Sequence, residues 1–190
     1  AQLAKEGLFA AERKRSLPFI PRRIGLVCGR DAKAKDDVLE NAWLRWPTAQ
    51  FVIREVAVQG QYAIEQVTAS LTELDAIADV DVIIVARGGG SVEDLLPFSD
   101  ERMVRAAARA TTPVVSAIGH EGDAPLLDLV ADYRASTPPD AARRVVPDFR
   151  EEQNGISHMH SRLVAASSRV LAREAESLNL LTSRPILQKP

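Results

Sequence analysis

Cysteine and long apolar runs are nearly absent from this sequence. Its 190 residues contain a single cysteine, Cys28, which excludes a fold held together by intramolecular disulfides and is typical of a reducing compartment. No apolar run approaches the roughly 18 residues that a membrane-spanning helix needs, and the N-terminus lacks the pattern of a signal peptide. The sequence therefore predicts a cytoplasmic protein with no membrane partner.

Aromatic residues and net positive charge are also scarce. Phe, Trp and Tyr make up 5% of the chain, and the formal net charge is −2. Proteins that bind single-stranded nucleic acid use aromatic stacking and phosphate neutralisation, so this composition predicts no broad base-stacking platform. Short basic runs at residues 13–15, 22–23 and 143–144 are more typical of solvated surface than of a binding patch.

The sequence does contain an alternation of short apolar runs with amphipathic segments. Four runs bounded by Gly, Pro or charged residues predict buried strands of a parallel sheet, over residues 24–28, 51–58, 80–86 and 113–118. Apolar residues spaced by three and four predict helices between them, over residues 36–45, 62–78 and 100–110. This order predicts an α/β fold with a doubly wound, mostly parallel sheet and flanking helices.

A long C-terminal helix is predicted after Pro147, because Phe149, Ile156, Leu163 and Val170 recur every seven residues. The stripe has two interpretations: a helix packed across the sheet, or the start of a coiled-coil arm. We therefore expect an N-terminal helix and linker in residues 1–21, an α/β core in 22–147, and a long helix in 148–190.

Clusters of polar and glycine residues follow three of the predicted strands, at residues 28–37, 87–91 and 119–123. In an open parallel sheet, ligands bind at the carboxyl ends of the strands. We therefore expect these segments, which are distant in sequence, to converge on one crevice.

The second cluster has the chemistry of a phosphate site, and it consists of Arg87, Gly88, Gly89, Gly90 and Ser91. Glycines allow backbone N–H groups to approach a ligand closely, and Ser91 with Asp94 fits a helix cap. The Arg87 guanidinium matches the oxygens of a phosphate. The alternative is a glycine-rich turn with a structural cap and a surface arginine. It is not a Walker motif, because no Gly-Lys-Ser/Thr follows.

His120 is the one histidine of the predicted α/β core, and it follows a predicted strand beside Glu121 and Asp123. A histidine can transfer protons near neutral pH, and the adjacent carboxylates favour catalysis over a structural role. Asp37 lies one turn into the helix after the first strand. Its pattern alone indicates a solvated acidic residue beside Asp36.

Two other polar features are interpreted as structural. Cys28 closes the first predicted strand with no histidine nearby in sequence, which indicates packing rather than a nucleophile. Asp128, Asp132 and Arg134 are expected to form an internal ion pair.

Several motifs in register resemble the exodeoxyribonuclease VII large-subunit family. They are DVIIVARGGGSVEDL at residues 81–95, PVVSAIGHEGD at 113–123, ADYRASTP at 131–138, VQG at 58–60 and EGLF at 6–9. The resemblance runs from near residue 2 to about residue 148. The loop before Asp37 departs from the family's pattern, as do Gly122, Pro139 and Arg143.

The resemblance implies hydrolysis of phosphodiester bonds in single-stranded DNA, from both ends, with release of short oligonucleotides. It places the family's catalytic residues on Asp37, Arg87, His120 and Asp123. It also implies a helical small subunit as a partner. The apolar stripe of the C-terminal helix is expected to be an association surface, either for that subunit or for a second large subunit. A complete large subunit of the family has an N-terminal OB-fold and a longer C-terminal helical region, so this chain is expected to be an excised part.

The need for a metal stays open at this point, since Asp37 and Asp123 could hold Mg²⁺ or the site could work without metal. Two other functions also fit parts of the pattern. One is an α/β domain that binds phosphate or a nucleotide and acts on a small molecule. The other is an interaction module built on the heptad helix, in which Arg87 and His120 would be dispensable.

Overall fold

The computed structural model describes residues 2–30, 32–89, 92–118 and 125–183. Five strands and seven α-helices lie in these ranges. The strands are β1 (Arg23–Cys28), β2 (Phe51–Glu55), β3 (Val80–Arg87), β4 (Val114–Ile118) and β5 (Tyr133–Arg134). The α-helices are α1 (Gln2–Lys5), α2 (Lys33–Arg45), α3 (Ala63–Asp75), α4 (Glu101–Arg109), α5 (Leu126–Val130), α6 (Pro138–Val145) and α7 (Phe149–Thr182). Short 3₁₀-helices cover Ala11–Arg13 and Val92–Ser99.

The five strands form one parallel sheet in the order β2-β1-β3-β4-β5. Side chains alternate between its two faces, as the pleat of a strand requires. In β3, Val82, Ile84 and Ala86 belong to a core shared with α2 and α6, whereas Ile83 and Val85 belong to a second core with α3, α4 and α5. Helices therefore cover both faces, and the predicted doubly wound α/β fold is confirmed.

Three local predictions were wrong. The second strand ends at Glu55 rather than residue 58, and Val56 and Val58 instead pack at the margin of the core as loop residues. The two-residue strand β5 was missed because so short an element has no periodicity of its own. The N-terminal helix, predicted over about the first dozen residues from their pattern, is confined to Gln2–Lys5, and Gly7 has a positive φ of 70° just beyond it, a conformation typical of helix ends.

The chain divides into two compact units, Ala1–Asp148 and Phe149–Pro190. The second unit contains α7, in which none of the residues is buried. The exposed fractions of Ile156, Leu163 and Val170 are 63%, 66% and 61%. Ile156, Leu163 and Val170 of the seven-residue stripe are thus mostly exposed. No helix in that part is long and apolar enough to cross a membrane.

Candidate active site

A crevice opens where the strand order reverses, between β1 and β3. The helix that follows β1, α2, packs on one face of the sheet, while α4, which follows β3, packs on the other. The chain therefore leaves these adjacent strands in opposite directions, which in doubly wound folds creates a ligand-binding crevice. The cavity has a volume of about 950 Å³, which is in the range of small-molecule and cofactor sites.

Arg87, the last residue of β3, lies in the wall of this crevice with only 4% of its surface exposed. Its Nη2 lies 3.0 Å from Asp94 Oδ2. Its Nη1 is buried and has no hydrogen-bond partner among the residues that the structure describes. An unsatisfied buried donor costs roughly 1–3 kcal/mol, and more when it is charged. An anionic ligand in the crevice would supply the missing acceptor.

Asp37 lines the same crevice from α2. The neighbouring residues Ala34 and Val38 are buried against the sheet, so this part of the helix lies close to the strand ends. The pattern-based interpretation of Asp37 as a solvated residue is therefore incomplete, because the side chain is only partly exposed and shares the crevice with Arg87.

The charge of the crevice differs from that of the chain. Arg30, Lys33 and Arg87 line it together with one carboxylate, that of Asp37. Neither Arg30 nor Lys33 forms an ion pair within the described ranges. A concave site with an excess of one sign of charge raises the local concentration of ligands of the opposite sign. The crevice is thus suited to an anion although the chain carries a formal net charge of −2.

Four predicted site residues, Gly90, Ser91, His120 and Asp123, lie outside the described residues. The chain enters residues 119–124 from Ile118, which is paired in register with Arg87. The segment that contains His120 therefore begins on the strand next to Arg87. The roles of these four residues remain predictions.

Comparison with known proteins decides the family. The sequence profile described as Exonuclease VII, large subunit matches residues 8–190. The chain belongs to the exonuclease VII large-subunit family.

Relatives named Exodeoxyribonuclease 7 large subunit cover nearly the whole chain. The protein of Thermobifida fusca is 60% identical over 188 residues, which is 99% of this chain and 46% of that protein. The protein of Streptomyces coelicolor is 60% identical over 188 residues, 99% of this chain and 47% of its own length. That of Corynebacterium efficiens is 55% identical over 189 residues, 100% of this chain and 46% of its own length. The chain spans less than half the length of these relatives.

Within this exonuclease VII family core, the loop after β2 is a part of the crevice that sequence reasoning missed. Val56, Ala57, Val58 and Gln59 line the cavity, and the prediction had extended the strand over most of them. The sequence contains one sign of this loop, Gly60. Its φ of 75° is a turn conformation that residues other than glycine rarely adopt. The loop is held by Gln66, whose Oε1 accepts a hydrogen bond from Ala57 N at 2.8 Å.

The start of α6 closes another side of the crevice with Thr137, Pro138 and Pro139. Thr137 caps this helix, because its Oγ1 accepts a hydrogen bond from Asp140 N at 3.2 Å. The motif ADYRASTP of the family resemblance contains two of these residues, yet it gave no indication that they form a wall of the site.

A metal centre is not complete in the described part of the chain. No three His, Cys, Asp or Glu side chains come together there in a way that could hold a metal ion. Asp37 would therefore need further ligands, and Asp123 is the one that the sequence suggests.

Cys28 and the Asp128 cluster lie outside the chemistry of the crevice. Cys28 is fully buried, and burial, with a smaller contribution from Glu55, raises the pKa of its thiol to about 11. Asp128 Oδ2 lies 2.9 Å from Arg134 Nε, and Ser116 donates a hydrogen bond from Oγ to Asp128 Oδ1 at 2.5 Å. The prediction of an internal ion pair is confirmed for Asp128 and Arg134.

Proposed function

We propose that this chain carries the nuclease centre of an exodeoxyribonuclease that hydrolyses phosphodiester bonds in single-stranded DNA, from both ends, to short oligonucleotides. The observation that carries the proposal is Arg87 Nη1, a buried cationic donor with no partner in the described chain, in a crevice with excess positive charge. A phosphate diester is an anion of the kind that such a donor binds. The name of the family and of its relatives supports the same reaction.

The reaction forms a bond between phosphorus and a water oxygen and breaks the bond to a sugar oxygen. Negative charge therefore develops on the non-bridging oxygens and on the leaving oxygen. We propose that the charge on the non-bridging oxygens is stabilised by Arg87 and by the backbone N–H groups of Gly88, Gly89 and Gly90, with Ser91 beside them. An arginine held in place before the reaction requires little reorganisation as the charge develops.

His120 is assigned to proton transfer, either to the leaving oxygen or from the attacking water. Asp123 would orient His120 or take part in holding a cation. Asp37, which lines the crevice from α2, would position the water or a metal ion such as Mg²⁺. These assignments combine the position of Asp37 with the family motif at residues 113–123.

A smaller partner subunit is part of the proposal, because the relatives are named as large subunits. The exposed apolar stripe of α7 is the surface that we assign to this subunit or to a second copy of the chain. Exposed apolar seams of this length on a helix are typical of association surfaces. We also propose the cytoplasm as the compartment, on the basis of the single free cysteine.

The test is incubation of end-labelled single-stranded and double-stranded DNA with the full-length large subunit and its small subunit, with and without EDTA. We expect oligonucleotide products from single strands only, and the EDTA arm determines whether metal is needed. A filter-binding comparison of single-stranded DNA with mononucleotides is the companion measurement. Binding of mononucleotides without cleavage of DNA would contradict the proposal and favour an enzyme or binder of small phosphorylated molecules.

A further inference from the structure

Tyr62 is the one aromatic side chain among the described residues that line the crevice. It precedes α3, and 57% of its surface is exposed. Single exposed aromatic residues are common on protein surfaces, so exposure alone has no significance. What distinguishes Tyr62 is its position in the wall of a cavity that also contains a buried arginine with an unsatisfied donor, Arg87.

The backbone of Tyr62 is held firmly. Gly60, with its φ of 75°, turns the chain after the β2 loop, and its carbonyl oxygen accepts a hydrogen bond from Ala63 N at 3.2 Å. Tyr62 O accepts another from Gln66 N at 3.0 Å. Gln66 also holds the loop through the 2.8 Å bond that its side chain accepts from Ala57 N. The backbone that carries the ring is therefore anchored. Ordering the ring against a ligand costs little entropy, because the side chain has only two torsions.

The ring takes part in neither the aromatic contacts nor the apolar cores of the described chain. The aromatic contacts there join Trp43 to Phe51 and Arg144 to Tyr133, and Tyr62 takes part in neither. The ring is also absent from the two apolar clusters that form the cores on either face of the sheet. The side chain is thus exposed and lies outside both cores, so its ring is available to a ligand.

We infer that Tyr62 stacks on the base of a nucleotide next to the phosphate held at Arg87, an inference that rests on the proposed function. Within one crevice, the cations Arg30, Lys33 and Arg87 can bind phosphates while an aromatic face binds a base, which is the combination that single-stranded nucleic acids require. In a duplex each base is paired and stacked between its neighbours, so its face is not accessible. Stacking on Tyr62 therefore selects for single strands. It is also tolerant of sequence, because every base has a π-face.

The variants Tyr62→Ala, Tyr62→Leu and Tyr62→Phe test this inference in the full-length large subunit with its small subunit. Loss of one stacked base corresponds to a rise in KM of about 5- to 150-fold, and we expect this for the Ala and Leu variants while kcat changes little. Tyr62→Phe retains the ring and should behave as the unsubstituted enzyme. Phe19→Ala is the matched control, because Phe19 is an exposed aromatic residue, 66% accessible, outside the crevice.

A series of oligonucleotides with one abasic site at successive positions provides the decisive measurement. In the unsubstituted enzyme, one position near the cleaved bond should raise KM, and Tyr62→Ala should abolish the sensitivity at that position. Equal KM values for Tyr62→Ala and the unsubstituted enzyme, or an abasic profile unchanged by the substitution, would overturn the role of Tyr62 while leaving the proposed function intact. Failure of the unsubstituted enzyme to cleave single-stranded DNA would instead overturn the proposed function and the role of Tyr62 with it.

Discussion

One half of the Arg87 guanidinium is held by Asp94, and the other half is unpaired among the described residues. Nη2 lies 3.0 Å from Asp94 Oδ2, whereas Nη1 is buried without a hydrogen-bond partner in the described chain. Asp94 thus fixes the direction of the guanidinium in the wall of the crevice and leaves Nη1 without an acceptor among the described residues. This division between an anchored side and an open side is typical of an arginine prepared for an anionic ligand.

His120→Ala should lower kcat by roughly two to four powers of ten, because that is the usual contribution of a general acid or base. The pH dependence of kcat should also lose the limb that the histidine produces. The matched control is His158→Ala, since His158 is an exposed histidine of α7. Turnover of His120→Ala close to normal, with an unchanged circular dichroism spectrum, would remove His120 from the mechanism.

Gly88→Ala should impair cleavage without weakening the fold. A Cβ at Gly88 would meet no atom of the described residues within 4 Å, and the φ of Gly88 is not in the left-handed region. The melting temperature should therefore stay level or rise slightly. If the scissile phosphate lies against this backbone, the added methyl group should displace it and lower kcat/KM by about 10- to 100-fold.

Gly29→Ala provides the contrast, because a Cβ there would lie 3.0 Å from Val58 Cγ2. This variant should lower the melting temperature as well as activity. Normal cleavage by Gly88→Ala would show that no ligand occupies the space in front of that backbone.

The fold was largely predictable from the sequence because its central strands are buried on both faces. The side chains of residues 82–86 point alternately into two apolar cores, so the whole run is apolar. Such a run predicts a buried strand whatever the arrangement of the helices around it. The end of β2 was not predictable. Val56 and Val58 are apolar because they pack at the margin of the core, and in the sequence such residues look the same as residues of a strand.

The site was only partly predictable for a similar reason. Glycine and arginine after a buried strand indicated the position of Arg87, and parallel strand ends implied convergence. The spacing of Asp94, however, predicts only a helix cap. Its ion pair with Arg87 depends on where the 3₁₀-helix Val92–Ser99 lies relative to the end of β3. The place of Tyr62 in the crevice depends likewise on a turn whose direction the sequence does not specify.

Leu163→Asp should disrupt association of the large subunit with its small subunit or with a second copy. Leu163 belongs to the seven-residue stripe of α7 and is 66% exposed, so a charge there should cost little in the isolated chain but should be unfavourable in a buried interface. Light scattering of the mixed subunits measures the effect.

Leu171→Asp is the control for this variant, since Leu171 is on the same helix and 70% exposed but lies off the stripe. Equal assembly of both variants and the unsubstituted chain would show that the stripe is not an association surface.

Asp75→Asn should destabilise the α/β core at neutral pH by about 1 kcal/mol, in keeping with hydrogen bonds to a charged and partly exposed group. Asp75 Oδ1 accepts hydrogen bonds from Thr111 N at 2.9 Å and from Thr112 N at 2.7 Å, which ties the end of α3 to the turn before β4. Burial alone would raise the pKa of Asp75, but the hydrogen bonds from Thr112 and Thr111 outweigh it and hold the pKa below its usual value.

A lowered carboxyl pKa stabilises the fold above the pKa of the unfolded chain, near 4, and this contribution is lost as the pH falls through the lower pKa of the folded state. At neutral pH the unsubstituted chain should therefore have a larger free energy of unfolding than Asp75→Asn. This difference, measured by urea unfolding, should shrink as the pH becomes acidic. A difference between the two that stays constant with pH would contradict this account of Asp75.

The most direct test of the crevice as the nuclease centre is the cleavage rate of end-labelled single-stranded DNA by Arg87→Ala and Arg87→Lys in the full-length subunit with its partner. Loss of one preorganised donor to a developing anion costs roughly two to three powers of ten in rate, and we expect at least this for Arg87→Ala. Arg87→Lys should remain impaired because lysine lacks the fork that contacts Asp94 and a phosphate at once. Arg102→Ala, a substitution of an arginine with 71% side-chain exposure on α4, should cleave normally. Rates for both Arg87 variants within about twofold of the unsubstituted enzyme, far short of the loss expected for such a donor, would contradict the assignment of this crevice.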